Sequence, residues 1–383
     1  MTRMWRKALS WGAQLLFLAA VIYGITWLAG NTIENLARQG TASGFGFLDN
    51  RAGFGISQTL IDYNEDSTYG RVLIVGLLNT LLVAATSIFL ATIIGFIVGV
   101  GRLSKNGLVR LLSTTYVETF RNIPLLLQIM FWYFGVLRNL NPPRQANSFL
   151  DLAFLSNRGF VMPSPVFLEG SAAYGLGAIV AFVALVLGRR WQSRRQIETG
   201  VRPGLWPFWF GFAALLIALL YAFLGWPFAL DVPVLTGFNF KGGMNFIPEF
   251  VALTFALSVY AASFIAEIVR AGIMSVSKGQ TEAGRALGIP DGLSMRLIII
   301  PQALRVIIPP LTSQYLNLTK NSSLAVAIAY PDIVSVFAGT ALNQVGQAVE
   351  IIFITMLIYL GLSLLTSLAM NYYNARIAAR GAR

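Results

Sequence analysis

Apolar residues in this chain gather into runs, and a bilayer core takes about 20 of them per helix. Such runs fall at Trp11–Leu28, Val72–Val100, Leu111–Val136, Ser171–Leu187, Leu205–Trp226, Phe250–Ile273, Leu304–Ala338 and Val349–Tyr372. The pattern predicts an all-α polytopic membrane protein of about eight transmembrane helices. The seventh run is too long for one span and contains Pro309-Pro310 and Pro331. It predicts a helix, a break at the paired prolines, and a polar stretch with a partly re-entrant segment. The first run follows Arg3, Arg6 and Lys7 in the manner of a signal peptide. Leu28-Ala29-Gly30-Asn31 offers no small-x-small cleavage site, so the run is expected to remain as a span.

The polar positions between the runs fix an orientation. With the N-terminus in the cytoplasm and the spans alternating, Arg102, Lys105, Arg110, Arg189, Arg190, Arg194, Arg195, Arg285, Arg296 and Arg376 fall on the cytoplasmic side. That side collects nineteen basic residues against Glu198, Glu282 and Asp291, as the positive-inside rule requires. Both termini are then cytoplasmic. Composition agrees: 56% of residues are hydrophobic and 11% charged, where a soluble domain carries about 25% charged residues. The net charge of +12 is therefore mostly topology, and no nucleic-acid partner is expected. No histidine or cysteine is present, which excludes Ser-His and Cys-His nucleophile pairs, histidine-ligated metals and disulfides in this chain. Long segments at 30–70 and 137–170, with Gly, Pro, Asn and Asp, read as ordered caps or contact surfaces on the outer face. There is no internal repeat at a period of 20–50 residues.

One cytoplasmic stretch, residues 281–302 (TEAGRALGIPDGLSMRLIIIPQ), stands apart. Thr281 is suited to cap a short helix from Glu282 to Leu287, Gly288 to supply a left-handed turn, and Pro290 to start a second helix. Glu282 would lie in the first turn, favoured there by the helix dipole. The residues alone leave two readings open: a rigid lever, or an ordinary interspan loop.

The pattern Glu282-Ala283-Gly284, then Gly288, Ile298, Ile300 and Pro301, resembles the EAA-loop signature of ABC importer permeases: E-A-A, three residues, G, nine residues, I-x-L-P. Gly284 stands for the second alanine and Ile300 for the leucine. Further segments resemble polar-amino-acid uptake permeases: Tyr116-Val117-Glu118-Thr119-Phe120-Arg121-Asn122-Ile123-Pro124-Leu125, Ala266-Glu267-Ile268-Val269-Arg270-Ala271-Gly272-Ile273, Pro301-Gln302-Ala303-Leu304-Arg305 and Lys320-Asn321-Ser322-Ser323-Leu324. The similarity covers about residues 70–136 and 249–375. The layout, with Ala42-Ser43-Gly44-Phe45-Gly46-Phe47-Leu48 outside, looks like the larger permease subunit of general L-amino-acid importers, including the glutamate/glutamine/aspartate/asparagine type.

The resemblance implies a type I ABC importer permease core of five helices, extended by one N-terminal and two inserted helices. Its segments are an N-terminal helix at 1–30, a periplasmic loop at 31–70, core helices at 71–136, a second periplasmic loop at 137–170, the inserted pair at 171–226, and core helices at 249–375 enclosing the coupling loop 275–303. It implies a multi-pass protein of the bacterial inner membrane, in contact with membrane lipid. The implied partners are a second homologous permease, a homodimeric cytoplasmic ATPase, a periplasmic amino-acid-binding protein and an L-amino-acid substrate. ATP and Mg would be held by the ATPase, with no cofactor in this chain, which has no G-x-x-x-x-G-K-[ST]. Glu282, Ala283, Gly284, Leu287, Gly288, Ile298 and Pro301 would dock the ATPase. The chain would perform no bond chemistry. Two rivals stand beside this reading: an ion-coupled secondary transporter or channel, and a scaffolding half whose partner permease holds the substrate site.

Polar residues within spans are expensive and default to functional candidates. Glu118 with Arg121, and Glu267 with Arg270, are spaced i, i+3 and can pair along one helix face, as structural ties or as a gate. Lys320-Asn321-Ser322-Ser323 follows the paired prolines with no acid within one turn. It would either meet a substrate carboxylate, or snorkel and bond its own helix. Asn79 and Thr80 form a polar notch, for substrate or for packing. Gln128 and Tyr260 complete the candidate pathway. Gly95 and Gly99 have the spacing of a close helix contact.

Overall fold

The computed structural model describes residues 3–38, 44–200, 204 and 206–380. Ala42, Ser43 and Leu205, named above, and Arg202 and Arg383, two of the nineteen cytoplasmic basic residues, lie outside them. The chain divides into two units, residues 1–139 with 247–383, and residues 140–246.

The first unit holds α1 (Arg3–Arg38), α2 (Tyr69–Gly101), α3 (Gly107–Asn122) and α4 (Leu125–Met130). The second holds α5 (Ser171–Thr199) and α6 (Trp206–Leu224). The first resumes with α7 (Pro248–Met274), α8 (Lys278–Ala286), α9 (Asp291–Ser294), α10 (Ile300–Asn321), α11 (Ile333–Ser335), α12 (Leu342–Val345) and α13 (Ala348–Arg380). Among the described residues, six helices are long and apolar enough to cross a membrane, or seven if the bent pair α3–α4 counts as one span. The expected eighth corresponds to α6, whose uninterrupted apolar run among the described residues is the shorter Ala214–Phe223.

The core of the first unit is the contact of α2 with α7, the most extensive between any two elements. Glycines make it possible. A Cβ on Gly95 would lie 2.6 Å from Ile265, and one on Gly99 2.7 Å from the Ala266 carbonyl oxygen. α7 answers with Ala261, Ala262 and Ala266, all buried. Small residues let two backbones approach where no hydrophobic force drives helices together. The bent pair α3–α4, taken as one, with α10 and α13 completes a core of five elements among the described residues, with α10 packed on both α7 and α13. A second cluster joins Phe47 and Ala52 to Tyr69, Val72, Ile333, Phe337 and Ile351, so residues 44–68 fold onto the helices as an ordered cap.

Three expectations change. The third span is not straight: α3 and the helix that follows meet at 104°. Pro124 has no N–H and pushes Ile123 out of the helical region, to φ −92°, ψ 128°. The Gln128 amide then donates to the Phe120 and Ile123 carbonyls, each at 2.9 Å, replacing what the bend removed. The paired prolines, by contrast, do not break α10, which runs through Pro309 and Pro310 to Asn321. A helix packed on two neighbours tolerates the lost backbone bonds. The interruption comes later, in a 3₁₀ segment at Ser322–Ile328 ended by Ala329 at φ 56°. Finally, the α9 helix runs on through Met295–Ile299 into α10, so one candidate span extends over Asp291–Ile328.

The second unit adds strands to a fold read as all helical. β1 (Asn147–Phe149), β2 (Ala153–Ser156), β3 (Gly159–Met162), β4 (Ser164–Phe167), β5 (Phe228–Asp231), β6 (Val234–Thr236), β7 (Asn239–Lys241) and β8 (Met244–Phe246) form a four-stranded sheet, order β1-β2-β3-β8, and two ribbons, β4-β5 and β6-β7, all antiparallel. These strands run only three or four residues, too short for alternation to register in the sequence. Arg144 lies over the Phe238 ring at 3.9 Å and donates to the Gly237 carbonyl at 3.1 Å, closing the β6–β7 turn.

Candidate functional site: a clasped helical knuckle and an amide-lined cavity

α8 begins at Lys278, capped by Ser277, whose hydroxyl accepts from the Gly279 N–H at 3.3 Å. The sequence pattern placed the start of this helix four residues later, at Glu282, with Thr281 as cap. Ser277 takes that role because the helix extends one turn further back, so Glu282 sits mid-helix and the dipole argument for it falls. Gly288 behaves as expected, at φ +72°. Its N–H donates to the Arg285 carbonyl and the Ile289 N–H to the Gly284 carbonyl, both at 2.9 Å, which is the Schellman arrangement. Pro290 precedes α9 as its N-cap residue.

The two helices are clasped. Arg285 donates to both carboxylate oxygens of Asp291, at 2.9 and 3.2 Å. This fork geometry holds the Asp291 carboxyl below the usual carboxylate range, and the same bond raises the Arg285 guanidinium. Gly284 is buried against Ser294 and Ile298, and Gln302 donates to Gln280 at 3.3 Å, tying α8 to the start of α10. Glu282, Ala283 and Leu287 are exposed, Leu287 at 78%, and Pro301 is exposed in the first turn of α10. Of the seven predicted docking residues, Gly284, Gly288 and Ile298 shape the knuckle while the other four face out.

At the end of α2 and α7 lies an ion cluster. Arg270 donates to Glu267 at 2.6 Å, as the spacing predicts, but Arg102 bonds the other Glu267 oxygen. Glu118 faces Arg102 at 3.7 Å, not Arg121. Arg121 instead lies over the Phe264 ring at 5.4 Å. The i, i+3 argument failed here because Arg102, at the end of α2, is a nearer cation from another helix. Along the sequence Arg102 shows only as a topological charge.

The pathway candidates separate. The buried Asn79 amide donates to the Gln58 and Pro331 carbonyls at 2.8 and 2.9 Å. Thr80 donates to Gly76 at 2.8 Å and accepts from the Ile333 N–H at 3.1 Å. Both pin chain segments to α2. Ser322 and Ser323 donate to the Thr319 and Lys320 carbonyls, at 2.7 and 2.8 Å, and Lys320 is exposed. Tyr260 and Asn321 come together, lining a cavity of about 250 Å³ between α7 and α10 with Phe264, Gln314 and Asn317. The sequence reading missed Gln314 and Asn317. Their signal was present: with Asn321 they repeat at i, i+3 and i+7 along a helix, one polar stripe on an apolar span.

A core of membrane-length helices, with an amide-lined cavity between two of them and a clasped knuckle projecting from the connection between the same two, defines a polytopic membrane permease. Residues 87–379 match the family described as binding-protein-dependent transport system inner membrane component. The chain is 58% identical to YhdX of Escherichia coli (strain K12), over 96% of this chain and 94% of that one. It is 53% identical to the general L-amino acid transport system permease protein AapQ of Rhizobium johnstonii, over 95% and 91%. It is 44% identical to the glutamate/glutamine/aspartate/asparagine transport system permease protein BztB of Rhodobacter capsulatus, over 95% and 92%. The chain belongs to the family of inner-membrane components of binding-protein-dependent transport systems, and is a multi-pass membrane subunit of a transporter.

Proposed function

We infer that this chain is the larger permease of an ATP-driven L-amino-acid importer, working beside a second permease, two ATPase subunits and a periplasmic binding protein, with both termini cytoplasmic. The names carried by AapQ and BztB support the substrate class. The observation that carries the mechanism is the knuckle. A turn locked by a Schellman motif and a bidentate ion pair resists deformation, yet leaves Leu287 in solvent. Held on a rigid tip, the exposed Leu287 is free to enter a groove on a partner. The ATPase receives Glu282, Ala283 and Leu287. Because α9 is continuous with α10, displacement of the tip passes directly into a core helix.

The cavity supplies the pathway. An amino acid presents an ammonium and a carboxylate. Gln314, Asn317 and Asn321 each offer an amide N–H₂ to the one and a carbonyl to the other, and Tyr260 adds a hydroxyl. Arg121, stacked on Phe264 at the cavity wall, supplies positive charge near the carboxylate. ATP binding closes the ATPase pair, the knuckle follows, and the cavity exchanges between the two sides of the membrane.

The test is ATPase stimulation in the reconstituted complex, with the binding protein present, screened against each L-amino acid. Polar and acidic amino acids are expected to stimulate hydrolysis, and Leu287→Asp to abolish stimulation while the subunits remain assembled. Uptake that persists with the ATPase inactivated would leave an ion-coupled transporter in its place.

A further inference from the structure

A second, larger cavity of about 530 Å³ lies beside the knuckle and takes no part in the pathway just described. Its walls come from α2 (Phe96, Ile97, Val100), α3 (Val109), α7 (Val269, Ile273) and the α9–α10 helix (Met295, Ile300, Ile307). Ser104 is its one hydroxyl-bearing wall residue. Ile97 and Val100 are more than half exposed, and Val109, Met295 and Ile300 about 40%, so the cavity opens along the flank of the helices.

Three exposed cations adjoin its wall residues along the chain. Lys105 follows the wall residue Ser104, Arg110 follows Val109, and Arg296 follows Met295, and all three are exposed. The acids on the wall elements are already engaged: Glu267 by Arg102 and Arg270, Glu118 by Arg102 at 3.7 Å, Asp291 by Arg285, and Glu249, at the far end of α7, by the Tyr133 hydroxyl. Arg110 and Arg296 form no salt bridge among the described residues, and Lys105 has only the field of the clasped Asp291. An apolar slot between membrane helices, open sideways, with exposed cations that form no salt bridge next to its wall residues in the chain, fits one molecule class well: acyl chain in the slot, anionic phosphate beside it.

We propose that this cavity holds one anionic phospholipid, seated between the core helices and the helix that carries the knuckle. The inference rests on the reading of the chain as a membrane permease. The lipid's place has a consequence. Met295, Ile299 and Ile300 form the join between α9 and α10, so an acyl chain against Met295 and Ile300 stiffens the segment through which the knuckle acts. Anionic lipid therefore raises coupled ATP hydrolysis without touching the substrate cavity.

The experiment uses the whole complex in nanodiscs of phosphatidylcholine alone or with added phosphatidylglycerol, at matched ionic strength, with inorganic phosphate as a further arm. Retained lipid is measured by mass spectrometry after delipidation, and coupled ATPase activity in parallel. Wild type retains phosphatidylglycerol selectively, and its coupled activity rises with it. Each cation removed weakens retention about fivefold, so Lys105→Gln/Arg110→Gln/Arg296→Gln together lose selectivity about a hundredfold. Val100→Trp, at a half-exposed position that tolerates a larger side chain, fills the slot and displaces the lipid. Equal retention of both lipids, unchanged retention in either variant, stimulation by free phosphate alone, or a segment of the partner permease crosslinked into the slot would each overturn the proposal. A complex that imports amino acids yet shows no lipid preference refutes this inference alone. A complex that imports nothing under any lipid refutes the functional reading beneath it.

Discussion

The ion cluster at Glu267 and the amide stripe at Gln314, Asn317 and Asn321 are both polar groups set into apolar helices, and they are arranged in opposite ways. At the cluster each charge is engaged: Glu267 receives Arg102 and Arg270, and Arg102 also faces Glu118. At the stripe the amides form no hydrogen bond with one another or with neighbouring helices among the described residues, and they line a cavity. A saturated polar group holds structure, because its partner has already replaced water. A polar group left unengaged beside an open space is available to a ligand. The difference separates scaffold from pathway better than charge does: the neutral Asn79 and Gln128 are engaged and hold structure, whereas the charged Arg121 lies over Phe264, a wall residue of the cavity.

The largest effect expected from this contrast is at the cluster. Glu267→Ala removes the carboxylate from two guanidiniums, and the Arg102 side chain is only 11% exposed. Breaking a fully buried pair costs about 3–5 kcal/mol and an exposed one about 0–1. With Glu267 at 28% exposure, a loss of about 2 kcal/mol is expected, read as a lower unfolding temperature of the solubilised complex. Import should fall only as far as the amount of folded complex falls. A variant with normal stability but no import would move Glu267 from scaffold to gate.

Comparable in size is the effect at the stripe. Asn317→Leu removes an amide that has no structural partner, so the unfolding temperature should hold. Losing one hydrogen bond to a charged substrate group costs about 1.5–3 kcal/mol, which is tenfold or more in transport efficiency. Asn79→Leu is the control, because its amide ties two carbonyls to α2. There, stability and import should fall together. If Asn317→Leu instead lowers stability and spares import, the cavity is a packing fault and the pathway lies in the partner permease.

These contrasts also show what a single sequence can and cannot carry. The helical class, the Gly288 turn and the α2–α7 glycines were legible because each depends on local spacing or on one residue's backbone freedom. The Glu118–Arg121 pair misread because its true partner, Arg102, comes from another helix. Pro124 and Pro309-Pro310 were told apart only by their neighbours. The first has a glutamine four residues on that caps the freed carbonyls, whereas the second lies in a helix packed on two others. The strands of the second unit were illegible, being too short for a period to show. Asn79 and Gln128 looked like ligands because polarity in a span is visible in sequence, while the carbonyls that engage it are not.

The Arg285–Asp291 clasp belongs with the saturated groups but lies in solvent. Its carboxyl is held below the ordinary range, so what it contributes is complete above about pH 4 and is lost only as pH falls through the lower value of the folded state. Arg285 is raised and stays charged throughout. Coupled ATPase activity should therefore be level from about pH 6 to 9 as far as this pair is concerned. A step within that window that Asp291→Asn removes would contradict the assignment. The same substitution at constant pH should lower coupling modestly, since exposed pairs are weak.

The smallest effect sharpens the comparison most finely. Ser294 is buried and its hydroxyl has no partner among the described residues, with Gly284 packed over it. A Cβ at 284 would lie 3.0 Å from that hydroxyl oxygen, 3.6 Å from the Ser294 Cβ and 3.8 Å from Ile298. Gly284→Ala restores the alanine of the E-A-A pattern and gains up to about 1 kcal/mol of helix propensity. Against that stands one tight contact, with a side chain that can turn, so the net change should stay within about 0.5 kcal/mol and coupling within twofold. Gly284→Leu cannot be absorbed in this way. Its branch would enter the space held by Ser294 and Ile298 and lever α8 off α9. Coupled ATPase activity should then collapse while basal hydrolysis by the ATPase subunits persists. If leucine is tolerated as well as alanine, the two helices do not move as one body, and force reaches α10 by some other contact.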